Sequence, residues 1–193
     1  MQSKLILAST SPFRKEILSK IQLDFDAISP ICDETPLKNE SPINLVTRLA
    51  ETKASSCDIE DPNYLIIGSD QVCVINGKII GKPLTREKAV QQLEEASGQK
   101  ITFYTGLSVF NTTTKQAETI CEEFNVYFKK LSRQQIENYV DKEEPFYCAG
   151  SFKCEGLGIA LFEKLEGKDP NTLIGLPLIS LIDMLEKQGL NVL

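Results

Sequence analysis

A chain of 193 residues, 41% hydrophobic and 25% charged, is long enough for one packed core or for two small lobes sharing one. A net charge of −6 argues against general affinity for nucleic acid. The chain has no histidine, which excludes Ser–His–Asp and Cys–His nucleophiles, imidazole metal ligands and an imidazole base. Acid–base chemistry is left to carboxylates, lysines or metal-bound water.

Lys4–Ala8 reads as a first buried strand. Ser11-Pro12 supplies an N-cap and an N1 proline for a helix running to about Lys20, with Ile17, Leu18 and Ile21 on one face. Leu23–Ile28 alternates as a strand, and Ser41-Pro42 starts a second helix striped by Leu45, Val46, Leu49 and Ala50. Tyr64–Ser69 is a β-rich run, and Val72–Ile75, Asn76-Gly77 and Lys78–Ile80 form a hairpin. Thr85–Ala96 is a helix; Thr102–Phe110 and Ile120–Lys129 are long strands joined through Asn111–Lys115. Ser132 caps a helix to about Asp141, Glu166–Asn171 and Gly175–Leu178 read as ordered turns, and a last helix runs from near Pro177 to Gly189. The alternation predicts an α/β fold on a mixed, twisted sheet flanked by helices, in a single domain over residues 1–193.

No apolar run is long enough to cross a bilayer, and Leu5–Ala8 is shorter than a signal-peptide core. A cytoplasmic location without membrane contact is the expectation. The six cysteines show no C-x-x-C spacing, so buried or incidental free thiols are expected in place of a disulfide framework or a zinc site.

Four stretches could carry chemistry. Leu7-Ala8-Ser9-Thr10-Ser11-Pro12-Phe13-Arg14 ends a strand in hydroxyls and opens a helix, which suits a phosphate; Ser11 would serve equally as a plain helix cap. In Ile66-Ile67-Gly68-Ser69-Asp70-Gln71-Val72, Asp70 follows an apolar strand and could act as base or metal ligand, or only cap a turn. Gly77-Lys78-Ile79-Ile80-Gly81-Lys82-Pro83 is not a P-loop, since three residues separate the glycines and Pro83 stands where a hydroxyl is needed. Lys82 remains as a cation for an anionic ligand or as a solvated turn residue. Ala149–Gly158 carries three glycines but no dinucleotide fingerprint. Glu34, in a polar loop, and Lys53, late in the second helix, read alone as surface charges.

Taken in order, LASTSPFR, DETP, RLAETKA, IIGSDQV, GKIIGKP, YTG, CAGSFKCEGLG and LIGLPL resemble the Maf family of nucleotide pyrophosphatases from residue 5 to about 180. SDQV, FKCEG and EGKDPNTLIGLPL resemble the branch that hydrolyses 7-methyl-GTP, as against the dTTP/UTP branch. The resemblance implies an inosine-triphosphatase-like fold with a cleft between two lobes and a homodimer. It also implies house-cleaning removal of a modified nucleotide as a small-molecule substrate, with Mg²⁺ or Mn²⁺ as cofactor. By matching motif it implies Asp70 as catalytic base and metal partner with Glu34, and Ser9, Ser11, Arg14, Lys53 and Lys82 as phosphate contacts. Phe13, Gln71 and Glu155 fall where the family sets substrate choice. Many members carry a second arginine where this chain has Phe13, and a histidine shortly before the stretch that here reads Phe103–Gly106. Two other readings are a pyrophosphatase for dTTP/UTP or deaminated purine nucleotides, and a nucleotide-binding regulator of cell division.

Overall fold

The computed structural model describes residues 3–57, 59 and 63–193; Met1 and Gln2, at the start of the leader reading, lie outside the described residues. The strands are β1 (Lys4–Ala8), β2 (Phe25–Ile28), β3 (Tyr64–Ile75), β4 (Lys78–Ile80), β5 (Lys100–Asn111), β6 (Gln116–Phe128) and β7 (Phe162–Gly167). The helices are α1 (Pro12–Ser19), α2 (Pro42–Ser55), α3 (Arg86–Ala96), α4 (Arg133–Glu143), α5 (Pro170–Ile174) and α6 (Leu178–Lys187), with 3₁₀ turns at Ala149–Ser151 and Leu157–Leu161. The strands form one seven-stranded mixed sheet in the order β2-β1-β3-β5-β6-β7, with β4 paired to β3. β1 runs parallel to β2 and β3, whereas β4 and β7 are antiparallel to β3 and β6. This is the mixed α/β sheet with flanking helices that the alternating elements predict. Among the described residues no helix is long and apolar enough to cross a membrane, and all six cysteines are free thiols.

The chain divides into two compact units, and β3, β5 and β6 run through both. The first comprises Met1–Gln71, Thr105–Glu122 and Lys168–Leu193. Its core follows the period-2 rule of strands: Leu5, Leu7, Leu65, Ile67, Leu107 and Val109 pack on Ile17 and Leu18 of α1 and on Leu181 and Leu185 of α6. Ile6, Ala8 and Ile66 point to the opposite face. On that face α2 lies almost backbone to backbone on the sheet. A Cβ at Gly68 would come 2.1 Å from the Ala50 carbonyl oxygen, and one at Gly106 would come 2.1 Å from that of Val46. Only glycine admits this approach.

The second unit comprises Val72–Tyr104 and Glu123–Gly167. Its core is an aromatic cluster in which Phe152 meets Phe103, Phe128 and Phe162 edge to face, at centroid distances of 5.5, 5.6 and 4.9 Å. Ala89, Val90 and Leu93 of α3 and Ile136 and Val140 of α4 are buried there.

Several boundaries depart from the sequence reading, among them the start of β6 at Gln116 in place of Ile120 and of β5 at Lys100 in place of Thr102. β2 starts at Phe25, two residues late, after Gln22 takes a left-handed φ of 56°. The runs Tyr64–Ser69 and Val72–Ile75 fuse across Asp70-Gln71 into the single strand β3, because Lys53 of α2, Thr105 and Gly106 of β5 and the carbonyls of Thr172 and Gly175 supply partners for Ser69, Asp70 and Gln71. The stretch Glu166–Asn171, read as a turn, holds the end of β7 and the start of the short helix α5, which Asp169 caps.

Candidate active site

The site of the first unit grows from the polar middle of β3, Ser69-Asp70-Gln71. Period-2 alternation sends Asp70 to the face of Gly68, under α2, and sends Ser69 and Gln71 to the face of α1 and α6. Lys53 occupies the buried stripe of α2 with Leu45, Val46, Leu49, Ala50 and Ala54, and is only 6% exposed. The two glycine contacts hold that helix close enough for Lys53 Nζ to reach Asp70 Oδ1 at 2.7 Å.

Lys53 Nζ also meets Glu34 Oε1 at 2.7 Å. Glu34 stands on the polar loop between β2 and α2, and α2 itself holds that loop. Arg48 grips Glu40 with a two-point fork at 2.6 and 2.8 Å and donates to the Thr35 carbonyl at 3.2 Å. The fork holds the Glu40 carboxyl down at about 2. One helix therefore places both the loop and the lysine that receives its glutamate.

Burial raises the Asp70 carboxyl above the ordinary carboxylate range; Lys53 and Arg14 oppose that rise and Glu34 adds to it. Asp70 thus combines a charged partner with a raised proton affinity, as a general base requires. Arg14 follows the same logic with opposite sign, its pKa lowered by burial while Asp70 and Glu34 pull it back up. The guanidinium stays a cation throughout.

The N-terminus of α1 is arranged as a cradle. Ser11 caps the helix, its hydroxyl accepting from Arg14 N at 3.4 Å, and buried Ser9 accepts from Ser11 N at 3.1 Å. Each serine accepts through oxygen and keeps its own O–H to donate, which an anionic oxygen can use. The capping and cradle readings of Ser11 are therefore compatible. Phe13, on the first turn, is 40% exposed. Arg14 Nε donates to the Gly175 carbonyl at 2.9 Å.

Gln71 is placed as a brace. Its Nε2 donates to Thr105 Oγ1 at 2.9 Å and to the Thr172 and Leu173 carbonyls at 2.7 and 3.2 Å. Both amide hydrogens are engaged, so its donors are not presented to a ligand.

Ser9, Ser11, Arg14, Glu34, Lys53 and Asp70 are thus gathered in one unit, with Gln71 beside them. Lys82 and Glu155 belong to the second unit. Lys82 is exposed after β4, where Gly81 accepts from Gln92 at 3.2 Å. Glu155, also exposed, accepts from Cys154 Sγ at 3.5 Å. Both act electrostatically on Cys148, Lys82 lowering and Glu155 raising its proton affinity, while burial keeps that thiol protonated.

Sequence reasoning passed over Ser69, Thr105, Thr172 and Gly175. The fully buried Ser69 hydroxyl bridges to the Gly106 and Gly175 carbonyls at 2.8 and 2.9 Å. The available signal was a serine and a threonine inside apolar strands, which are buried only where a partner waits. Among the described residues no cluster of three or more His, Cys, Asp or Glu side chains could enclose a metal. Two carboxylates, Asp70 and Glu34, converge on one point of positive charge.

The sequence profile described as Maf-like protein matches residues 4–188. The chain is 94% identical over 193 residues to a 7-methyl-GTP pyrophosphatase of Aliivibrio fischeri, covering 100% of both. It is 63% identical over 190 residues to 7-methyl-GTP pyrophosphatases of Vibrio parahaemolyticus, covering 98% of each chain, and of Vibrio vulnificus, covering 98% of this chain and 97% of that one. A solved structure of the Staphylococcus aureus Ham1 protein aligns with a TM-score of 0.48 at 13% identity, covering 80% of this chain and 89% of that one. With its profile matched almost end to end, the chain belongs to the Maf family.

Proposed function

We propose that this protein hydrolyses 7-methyl-GTP to 7-methyl-GMP and pyrophosphate, with a divalent cation. The observation that carries the reading is the buried Lys53 ammonium held between Asp70 and Glu34, in a chain 94% identical to a protein of that name. Asp70 accepts the proton of a water as its oxygen bonds to the α-phosphorus; the bond from that phosphorus to the α–β bridging oxygen breaks, and pyrophosphate leaves. Lys53 and Arg14 counter the charge that develops on the phosphate oxygens, and the Ser9 and Ser11 hydroxyls orient them.

The donor set fits a hard cation. Asp70 and Glu34 offer carboxylate oxygens to one point, and the lack of a third protein ligand among the described residues suits an ion that shares substrate phosphates. Asp70 and Glu34 would hold Mg²⁺ or Mn²⁺, which when bound neutralises charge on the phosphates. Lys53, at 2.7 Å from both carboxylates, would lie beside the phosphate oxygens whose charge it counters.

Base choice is assigned to Phe13 and Glu155, each tested in its own variant. N7 methylation makes guanine cationic, and an exposed aromatic face attracts such a ring by about 0.5–2 kcal/mol. Phe13 offers that face. Phe13→Ala and Glu155→Gln should each lose the preference for 7-methyl-GTP over GTP and UTP more than they lose general turnover. A uniform fall on all three nucleotides contradicts these assignments. The function itself is tested by a nucleotide panel with and without EDTA. Preference for 7-methyl-GTP, pyrophosphate as first product and loss of activity in chelator are expected; binding without turnover would leave a nucleotide-binding regulator as the better reading.

A further inference from the structure

We infer that Asp169 is a positioning residue for Arg14, acting through the Gly175 carbonyl; the inference rests on the reading of Arg14 as a phosphate contact. Asp169 is fully buried, where an unpaired carboxylate would be prohibitive. Its Oδ1 accepts from Asn171 N at 2.8 Å and from Asn171 Nδ2 at 2.7 Å, capping the start of α5. Its Oδ2 accepts from Ile179 N at 2.8 Å in the first turn of α6, a helix whose own N-cap position is Pro177 and supplies no side-chain cap. One carboxylate therefore caps two successive helices and fixes the turn between them.

Gly175 is in that turn, with a φ of 117° that strongly favours glycine, and its N–H closes α5 on the Asn171 and Thr172 carbonyls at 3.1 Å each. Its carbonyl accepts Arg14 Nε and Ser69 Oγ, both at 2.9 Å, which fills both lone pairs. Arg14 is thus tethered through Nε to a backbone atom that a doubly capped turn immobilises. The Nη1/Nη2 edge is left as the fork for an anionic oxygen. The same carbonyl anchors Ser69, the neighbour of Asp70, so one acceptor registers the cation against the base.

Asp169→Asn keeps the shape but turns an amide nitrogen toward an N–H donor and breaks at least one cap. The experiment titrates inorganic pyrophosphate into the full chain by calorimetry in a four-variant cycle: wild type, Asp169→Asn, Arg14→Gln and the double variant. Asp169→Asn should weaken pyrophosphate binding about tenfold to hundredfold, since small displacements of a positioning group have effects of that order. In the Arg14→Gln background the same change should have no further effect. Equal losses in both backgrounds, or no loss in a folded Asp169→Asn protein, would overturn the role of Asp169. Absence of any loss on Arg14→Gln overturns it together with the phosphate reading of Arg14. If Asp169→Asn fails to fold, Asn171→Ala, which removes one donor, should weaken binding a few-fold and only when Arg14 is present; an equal effect in both backgrounds contradicts the coupling.

Discussion

In the proposed mechanism Asp70 is the base, and its environment sets a pH signature. Its raised proton affinity means that the carboxylate is lost on acidification at a higher pH than for an ordinary aspartate, near 3.9. The acid limb of kcat/KM in the free enzyme should therefore lie above that value. The same shift acts on stability with defined sign: the native state holds this proton more tightly than the unfolded chain does. Ionising Asp70 thus removes stability as pH rises from the ordinary to the raised value. Asp70→Asn keeps the shape and removes the base, so turnover should fall about 10²–10⁴-fold while the protein still folds, as judged by circular dichroism. Near-wild-type kcat would reduce Asp70 to the brace that Gln71 already is. Of these residues, Asp70 could be picked out from its place after an apolar run. Lys53 could have been recognised as continuing the 45, 46, 49, 50 spacing of its helix, which places it on the buried face. Its ion pair with Glu34 depends on a loop held by Arg48, and no short-range pattern encodes that.

Elements with strong local signals were legible. Ser11-Pro12, Ser41-Pro42, Thr85 and Ser132 each cap the helix that their sequence announces, and Asn76-Gly77 turns the hairpin of β3 and β4. The continuity of β3 was not legible, because Ser69, Asp70 and Gln71 find partners 17 to 106 residues away. Gly68 and Gly106 were equally silent, since a glycine in a strand does not say which helix leans on it. They set the height of α2 above the sheet and so the reach of Lys53. Gly106→Ala drives a methyl against the Val46 carbonyl and should cost about 1–3 kcal/mol in urea unfolding, with a matching fall in kcat as Lys53 lifts from Asp70. A stability loss with unchanged kcat would separate the helix contact from the chemistry.

At the scale of the whole molecule, a chain of net charge −6 buries two cations, Lys53 and Arg14, beside Asp70, and the proposed function uses them to take a polyanionic nucleotide. Lys53 and Arg14 are desolvated, so their fields are less screened than those of surface charges. In the proposed reaction water attacks the α-phosphorus of 7-methyl-GTP. That attack is tested most directly by a turnover in oxygen-18-labelled water, followed by mass spectrometry of both products. The expected result is label in 7-methyl-GMP and unlabelled pyrophosphate. Label in pyrophosphate, or orthophosphate as the first product, would contradict it.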